Sequence, residues 1–200
     1  MVADAIEGET GSRSSYAGHK SRAATFEAVA LPHLNDLFRT ACKLLDDFAR
    51  AEDVVQETYL QAWKSFDRFE LGTNCRAWLF RILFNNIHHY RRNWFKFPFV
   101  ALKESELEEH FANTPPVPEE LSDEDVLSAL ENLPHDNRAV ILLADVQEFS
   151  YKEIAEILKV PMGTVMSRLS RGREMLRALL THVAESYGIS SSRLKVGRSS

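Results

Sequence analysis

Cysteine is scarce in this sequence: Cys42 and Cys75 are the two found among 200 residues. Two cysteines without CxxC spacing cannot build a disulfide framework, and they favour a reducing compartment. Long apolar runs are missing too, since no stretch approaches the roughly 18 residues that cross a bilayer, and residues 1–20 lack the apolar segment of a secretion signal. The sequence therefore indicates a cytoplasmic protein without membrane insertion.

Signals of catalysis and of metal binding are also missing. The sequence contains no GxGxxG, phosphate-binding loop or nucleophile elbow. Its histidines form neither HExxH nor a Cys/His cluster with ligand spacing, so we expect them to face solvent or backbone. The acidic stretch 104–125 lacks the glycine-bearing alternation of an EF-hand loop. We expect a protein that is not an enzyme and requires no cofactor and no metal. The histidines considered are His88, His89, His110, His135 and His182.

Acidic residues are absent from one block of this chain, whose net charge is −5. Residues 71–103 contain no Asp or Glu, and basic and aromatic side chains are mixed there. Residues 104–125 then lack Lys and Arg and surround the segment NTPPVPEE, whose prolines cannot continue a helix. We predict two modules joined by an acidic linker. The predicted bounds are a disordered tail at 1–21, a first module at 22–97, the linker at 98–121, a second module at 122–187 and a loose tail at 188–200.

Helical periodicity dominates both modules. In DDFARAEDVVQETYLQAWKSF, apolar residues recur at three- and four-residue steps, which places them on one side of a helix. No stretch shows the sustained two-residue alternation of a strand. The sequence therefore predicts an all-α fold of two small helical domains. The predicted inward face consists of Phe48, Ala51, Val55, Tyr59, Ala62 and Phe66.

The segment EFSYKEIAEIL has the start signal of a helix. The Ser150 hydroxyl can accept from the Glu153 amide while the Glu153 carboxylate accepts from the Ser150 amide, which is a capping box. Phe149 and Ile154 can form the accompanying hydrophobic staple. Pro161 ends this helix and suits the first turn of another. The pattern predicts a helix-turn-helix.

The second helix of this motif places small polar groups and arginines outward. Its inward positions are Val165, Leu169, Gly172, Leu176 and Leu179, as expected from the helical period. Such a helix suits the major groove, where polar side chains and Arg contact base edges and phosphates. An arginine-rich solvated face is the alternative. The predicted DNA contacts are Thr164, Met166, Ser167, Arg168, Ser170, Arg171 and Arg173.

Residues 130–176, LENLPHDNRAVILLADVQEFSYKEIAEILKVPMGTVMSRLSRGREML, resemble region 4 of a bacterial extracytoplasmic-function (ECF) sigma factor. ARAEDVVQETYLQAW is similar to region 2.2 of that family, and FDRFELGTNCRAWLFRILFNNIHHYRR to its regions 2.3 and 2.4. The resemblance covers residues 22–187. It implies an alternative sigma factor that binds core RNA polymerase, contacts the −35 element with region 4 and melts the −10 element with region 2.

The resemblance implies a docking face for polymerase on the region 2.2 helix. This face would bind the coiled coil of the largest polymerase subunit, and region 4 would contact the flap of the second-largest subunit. Acidic groups beside an apolar residue suit a protein interface and cannot attract DNA. A plain solvated face is the alternative. The expected docking residues are Asp53, Gln56, Glu57, Leu60 and Trp63.

The separated DNA strands of a −10 element must be bound by pockets that hold bases and by basic side chains that contact phosphates. Asn74 is our candidate for the pocket of a flipped base. It could instead cap the following helix, and both roles are compatible. Arg76, Arg81, Arg91 and Arg92 would line the path of the single strand. Core positions are expected for Trp78, Leu79, Ile82, Leu83 and Phe84.

An anti-sigma partner is also implied, because the family is commonly held inactive by one. GTNCRAWLFRIL, LADVQEFSYKEIAEI and GTVMSRLSRGR resemble the sigma factors controlled by zinc-containing, thiol-sensitive anti-sigma proteins. The sensing thiols would then belong to the partner, with Cys42 a core residue and Cys75 a loop neighbour. A conventional helix-turn-helix regulator, with a sensing or dimerising first module, is the rival interpretation.

Overall fold

A computed structural model describes residues 21–45, 47–94 and 122–186. Within these ranges the chain forms helices and turns, with no strand, which confirms the all-α prediction. The predictions for the linker and for both tails lie outside the described residues, except at residue 21. No helix in the described part is long and apolar enough to span a bilayer.

The first module is a bundle in which α4 is the central helix. Leu79, Phe80, Leu83 and Ile87 on α4 are fully buried, because its apolar residues recur on more than one side. The elements are α1 over residues 21–30, a 3₁₀ turn at Leu31–His33, α2 at Leu34–Leu45, α3 at Phe48–Ser65, a 3₁₀ turn at Phe66–Arg68 and α4 at Cys75–Trp94.

Helix α3 buries most of the face that periodicity predicted. Ala51, Val55, Ala62 and the following Phe66 are buried, which confirms those positions, and Tyr59 is half-buried. Phe48 was predicted wrongly, because 67% of it is exposed. It lies in the first turn of α3 at the edge of the bundle, where its ring contacts Phe38 edge-on at 5.1 Å.

The second module contains the predicted helix-turn-helix. Both hydrogen bonds of the capping box between Ser150 and Glu153 are present, and Phe149 and Ile154 are buried as expected. Lys159, in the left-handed conformation at φ 56°, ends α7 before Pro161. The elements are α5 at Asp123–Glu131, α6 at His135–Ile141, a π-helical turn at Leu142–Val146, α7 at Tyr151–Leu158 and α8 at Met162–Ser186.

The π-helical turn joins α6 to the helix-turn-helix. The Gln147 amide donates to the Leu142 carbonyl at 2.9 Å, one residue further back than in an α-helix. Phe149 then donates to the Leu143 carbonyl at 3.0 Å. Between these two donors, Glu148 adopts a positive φ of 55° just before α7.

The two modules pack against each other through α4 and α7. Phe80 of α4 and Phe149, which precedes α7, are both buried and lie edge to face at 5.1 Å between ring centroids. Arg138 of α6 donates to the Lys43 carbonyl of α2 at 2.9 Å. The apolar cores of the modules are therefore continuous.

Candidate nucleic-acid and polymerase interfaces

Helix α8 presents a polar outward face. Val165, Leu169 and Gly172 are buried as predicted, whereas Leu176 and Leu179 are half-buried and Met175 and Leu180 continue the inward face. This inward row leaves the small polar side chains on the opposite side. The outward residues Met166, Ser167, Ser170, Arg171 and Arg173 are exposed, and Thr164 and Arg168 are half-buried.

Two of the predicted DNA-contacting arginines are ion-paired inside the second module. Arg168 Nη2 lies 2.5 Å from Asp136 Oδ2 at the start of α6. Arg173 bonds both carboxylate oxygens of Asp145, with Nε at 3.1 Å and Nη2 at 2.5 Å. The carboxylates therefore fix the orientation of both arginines.

The expected docking face of α3 is largely open. Asp53, Gln56 and Glu57 are exposed, and 46% of Leu60 is exposed between them. Trp63 differs, since it is half-buried with the Arg22 guanidinium 4.2 Å above its ring. Four of the five residues thus form one exposed acidic face with an apolar centre, and Trp63 lies at its margin.

A groove of about 570 Å³ runs beside this face, between α3 and α4. Asp53 and Glu57 line one side, and His89 and Tyr90 line the other. Below them Asn86 donates to the Thr58 hydroxyl at 3.1 Å, which satisfies both polar groups. The groove combines negative charge with apolar walls, which suits a basic side chain of a protein partner.

Asn74 caps α4, as one of the two interpretations predicted. Its side-chain oxygen accepts from the Ala77 amide at 3.0 Å. Its side-chain amide donates to Glu153 Oε1 of α7 at 2.7 Å. The candidate base-binding residue therefore has one hydrogen bond within the first module and another to the second.

Arg76 reaches from α4 into the second module. Its guanidinium donates to the Gln147 carbonyl at 2.7 Å and also contacts the Gln147 side-chain oxygen. The guanidinium carbon lies 4.5 Å from the centroid of Phe149, and Nε lies 3.4 Å from Asp36 Oδ2. Arg76 is thus held between the modules rather than along an open strand path.

The other candidates for the −10 strand are distributed along α4. Arg81 is exposed at the cleft between the modules, and Arg91 is half-buried. The side chain of Arg92 lies outside the described residues. Trp78 is half-buried and stacks on Phe69 at 4.7 Å. The expected core positions Leu79, Ile82, Leu83 and Phe84 are confirmed as buried.

The two cysteines agree in part with the prediction. Cys42 is half-buried and packs against the core, whereas Cys75, the first residue of α4 after the loop, is itself buried. Burial raises the pKa of both thiols, which keeps them protonated and poorly nucleophilic at neutral pH. Among the described residues, no three His, Cys, Asp or Glu side chains group in a way that could hold a metal ion.

Four residues that contact the predicted site residues were not identified from the sequence. Gln147 and Glu153 contact Arg76 and Asn74, and Asp136 and Asp145 pair with arginines of α8. The capping box identifies Glu153 as a helix-start residue, but no local pattern in the sequence indicates its contact with Asn74. These contacts span 28 to 79 positions, beyond the reach of helical periodicity.

Comparison with known families gives the class. The model described as Sigma-70 region 2 matches residues 30–95, and the model described as Sigma-70, region 4 matches residues 123–176. Both matches coincide with the two helical modules. The class defined by this fold is a sigma factor with regions 2 and 4.

Individual relatives identify the family within the sigma factors. The ECF RNA polymerase sigma factor EcfG of Rhodopseudomonas palustris is 36% identical over 156 residues, which cover 74% of this chain and 81% of EcfG. SigE of Mycolicibacterium smegmatis is 31% identical over 168 residues, which cover 82% of this chain and 64% of SigE. The chain therefore belongs to the ECF family of RNA polymerase sigma factors. A match through both regions disagrees with a conventional regulator that has an unrelated sensing module.

Among solved structures, the sigma factor RpoE in complex with the anti-sigma factor NepR, from Bartonella quintana, is similar to this chain. The TM-score is 0.62 at 31% sequence identity, and the similarity covers 87% of this chain and 99% of the RpoE chain. The similarity therefore extends over both modules. We refer below to the module of α1 to α4 as region 2 and to the module of α5 to α8 as region 4.

Proposed function

We propose that this chain binds core RNA polymerase and directs it to a specific class of promoters. The observation that carries this proposal is the presence in one chain of an acidic docking face on α3 and a helix-turn-helix with an exposed polar recognition face. One surface suits a protein and the other suits duplex DNA. The polymerase would perform the chemistry, so the chain would be an initiation factor and not an enzyme, acting in the cytoplasm.

Region 4 would contact the −35 element through α8. The exposed groups Ser167, Ser170 and Arg171 lie near the N-terminal half of the helix, where base edges in the major groove are within reach. Arg168 and Arg173, held at the flanks by carboxylates, suit phosphate contacts on either side. Region 4 would also bind the flap of the second-largest polymerase subunit.

Region 2 would bind polymerase and the −10 element with different surfaces. Asp53, Gln56, Glu57 and Leu60 would dock on the coiled coil of the largest subunit, with Trp63 at the margin. On the side of α4 that faces region 4, Asn74 would receive a flipped base, because its amide can both donate to and accept from a base edge. The cations Arg76, Arg81, Arg91 and Arg92 would accompany the phosphates of the strand.

An anti-sigma partner is part of the proposal. The sigma factor RpoE of Bartonella quintana, whose fold this chain shares, was solved in complex with the anti-sigma factor NepR. The finer assignment, to the group controlled by zinc-containing, thiol-sensitive partners, remains a prediction from motif resemblance. Raised thiol pKa values at Cys42 and Cys75 agree with sensing thiols located on the partner.

Transcription in vitro tests the central proposal. Purified core polymerase and a library of promoter fragments are incubated with and without the full chain, and the 5′ ends of the transcripts are sequenced. We expect start sites that depend on the chain and share −35 and −10 sequences. Transcripts identical with and without the chain, or operator binding by the chain that needs no polymerase, would reject the proposal.

A further inference from the structure

Region 4 contacts region 2 at residues that are expected to handle the −10 strand. Asn74 donates to Glu153 at 2.7 Å, and Arg76 donates to the Gln147 carbonyl at 2.7 Å. We propose that Gln147, Phe149 and Glu153 form an intramolecular docking surface that competes with single-stranded −10 DNA for Asn74 and Arg76. This inference rests on the proposed function, since it assumes that these two residues bind the strand.

The polar groups of Asn74 are both engaged in this arrangement. Its side-chain oxygen accepts from the Ala77 amide, and its NH₂ group donates to Glu153. Hydrogen bonds from Ser150 hold the pKa of Glu153 below its ordinary value, so the acceptor is a carboxylate at neutral pH. A charge-assisted hydrogen bond is roughly twice as strong as a neutral one. Glu153 occupies one of the two N–H donors of the Asn74 amide, so a base that uses this donor must displace Glu153.

Arg76 is engaged more completely than Asn74. Gln147 accepts with both its backbone and its side-chain oxygen, and the Phe149 ring covers the guanidinium. Gln147 is only 6% exposed, and its own amide donates to the Thr40 hydroxyl at 3.2 Å. The docking surface thus holds Arg76 in a pocket made of complementary groups, which excludes a phosphate from the same guanidinium.

The cleft around these contacts is closed on one side by region 4. It measures about 380 Å³, with Asn74, Trp78 and Arg81 on the region 2 side and Lys152, Glu153 and Glu156 on the region 4 side. Region 4 thus forms the wall opposite the candidate strand-binding residues of α4. A single strand can use this side of α4 only after region 4 has moved away.

The other two proposed binding surfaces remain exposed in the same arrangement. Ser170 and Arg171 on α8 and Asp53 and Glu57 on α3 all lie on the outside of the molecule. The contact between the regions therefore covers Asn74 and Arg76 but leaves the faces of α8 and α3 open. The interface combines the apolar contact of Phe80 with Phe149 and the polar contacts of Asn74 and Arg76, so a partner that binds the regions separately must replace both kinds of contact to open the closed arrangement.

Two substitutions on region 4 test the inference without touching the strand-binding residues. Gln147→Ala removes the side-chain acceptor of Arg76 at constant charge. Glu153→Gln keeps a residue that suits the capping box but replaces the charged acceptor of Asn74. Glu156→Gln is the matched control, because it makes the same charge change in the same cleft without the contact to Asn74.

Two measurements are made on the full chain without polymerase. Small-angle X-ray scattering gives the radius of gyration, and fluorescence anisotropy gives the affinity for a labelled pool of random single-stranded DNA. We expect both test variants to have a larger radius than the parent and to bind the pool more tightly than Glu156→Gln, whose radius should match that of the parent. If nine-tenths of the parent is closed, complete opening strengthens apparent binding about tenfold.

Two results would overturn the inference, and a third would overturn the proposed function on which it rests. One is a test variant that expands without binding single-stranded DNA more tightly than Glu156→Gln. Another is a pair of folded test variants, with parental circular dichroism, that match the parent in both measurements. The third is loss of chain-dependent start sites in the transcription experiment, which would reject the proposed function itself. Normal transcription together with unchanged strand binding would reject only the inference.

Discussion

Arg173 of α8 donates to both carboxylate oxygens of Asp145 in the π-helical turn. This hydrogen bonding raises the pKa of Arg173 and holds the guanidinium beside α7. The two side chains are 48% and 37% exposed, so the pair contributes less than about 1 kcal/mol to the free energy of unfolding. Its main effect is to orient Arg173 and to reduce the positive field next to the proposed DNA-contacting face.

Changing Asp145 to Asn should release Arg173 for phosphate contacts. We expect tighter binding to duplex DNA of unrelated sequence, with a salt dependence steeper by about 0.9 in the slope of log affinity against log salt, corresponding to one added contact. Anisotropy titrations at several salt concentrations measure this slope. Glu156→Gln, with the same charge change on α7, is the control. Equal slopes for both variants would contradict the prediction.

Changing Arg171 to Ala should weaken recognition of the −35 element. If Arg171 makes a bidentate base contact, the loss is about 1 to 3 kcal/mol, with relaxed specificity at one base pair. Competition between duplexes with single −35 substitutions gives this discrimination. Arg177→Ala removes the same charge from an exposed position further along α8 and should weaken binding evenly across sequences. Unchanged discrimination in Arg171→Ala would remove it from the recognition set.

Changing Asp53 and Glu57 together to Lys should reduce affinity for core polymerase. Both carboxylates are exposed on one face of α3, so reversal replaces attraction of a basic partner with repulsion and leaves the fold intact. Co-purification with core polymerase measures the loss. Glu52 and Glu70, also exposed, are changed to Lys in the matched control. Normal co-purification of the test variant would refute this docking face.

Changing Gly172 to Ala should destabilise region 4, although Ala usually favours a helix. A Cβ at this position would lie 2.9 Å from Ile141 Cδ1 and 3.3 Å from Asn137 Cβ, and both neighbours are buried. Overpacking of this kind costs about 1 to 3 kcal/mol, more than the gain in helix propensity of about 1 kcal/mol. Urea unfolding should therefore show a lower free energy of unfolding.

Two further variants control this prediction. Adding Ile141→Val removes the Cδ1 atom and should restore part of the stability that Gly172→Ala loses. Gly163→Ala lies in the same helix with nothing within 4 Å of the added Cβ, so it should be neutral or stabilising. A Gly172→Ala variant as stable as Gly163→Ala would contradict the prediction, because it would show that α6 moves aside without loss of stability.

Acidification should destabilise the fold through His135. Burial lowers the pKa of this histidine below 6.5, and the nearby Arg91 and Arg138 act in the same direction against Asp136. The unfolded chain then binds a proton more readily than the folded chain, so the free energy of unfolding falls as pH decreases below about 6.5 and levels off below the folded pKa. Urea midpoints across this pH range measure the effect, and His135→Gln should flatten it. An equally steep pH dependence in His135→Gln would show that another titrating group causes the loss of stability.

Local signals predicted much of this fold correctly. The capping box of Ser150 and Glu153, the N-cap at Asn74 and the buried row of Val165, Leu169 and Gly172 all depend on residues within one or two helical turns. Interactions of this range are encoded by spacing alone. Phe48 was misplaced because periodicity gives the direction of a side chain but not whether a neighbouring helix extends far enough to cover it.

The contacts between the regions could not be predicted from spacing. Arg76 and Gln147 are 71 positions apart, and Asn74 and Glu153 are 79 apart. The same residue types would satisfy a capping role or a solvated surface equally well, so their identity does not reveal a partner in the other region. Arg76 was therefore assigned to an open strand path, whereas its guanidinium lies between two helical modules.

The π-helical turn at Leu142–Val146 fixes the rotational phase of everything that follows it in region 4. Its hydrogen bond from Gln147 to Leu142 accommodates one more residue per turn than an α-helix does. Regularising that turn by deleting a residue would rotate Asp145 and Gln147 by about 100° relative to α6. The carboxylate that orients Arg173 and the carbonyl that accepts from Arg76 would then both miss their partners, so a single irregular turn aligns the proposed DNA contact and the proposed closure.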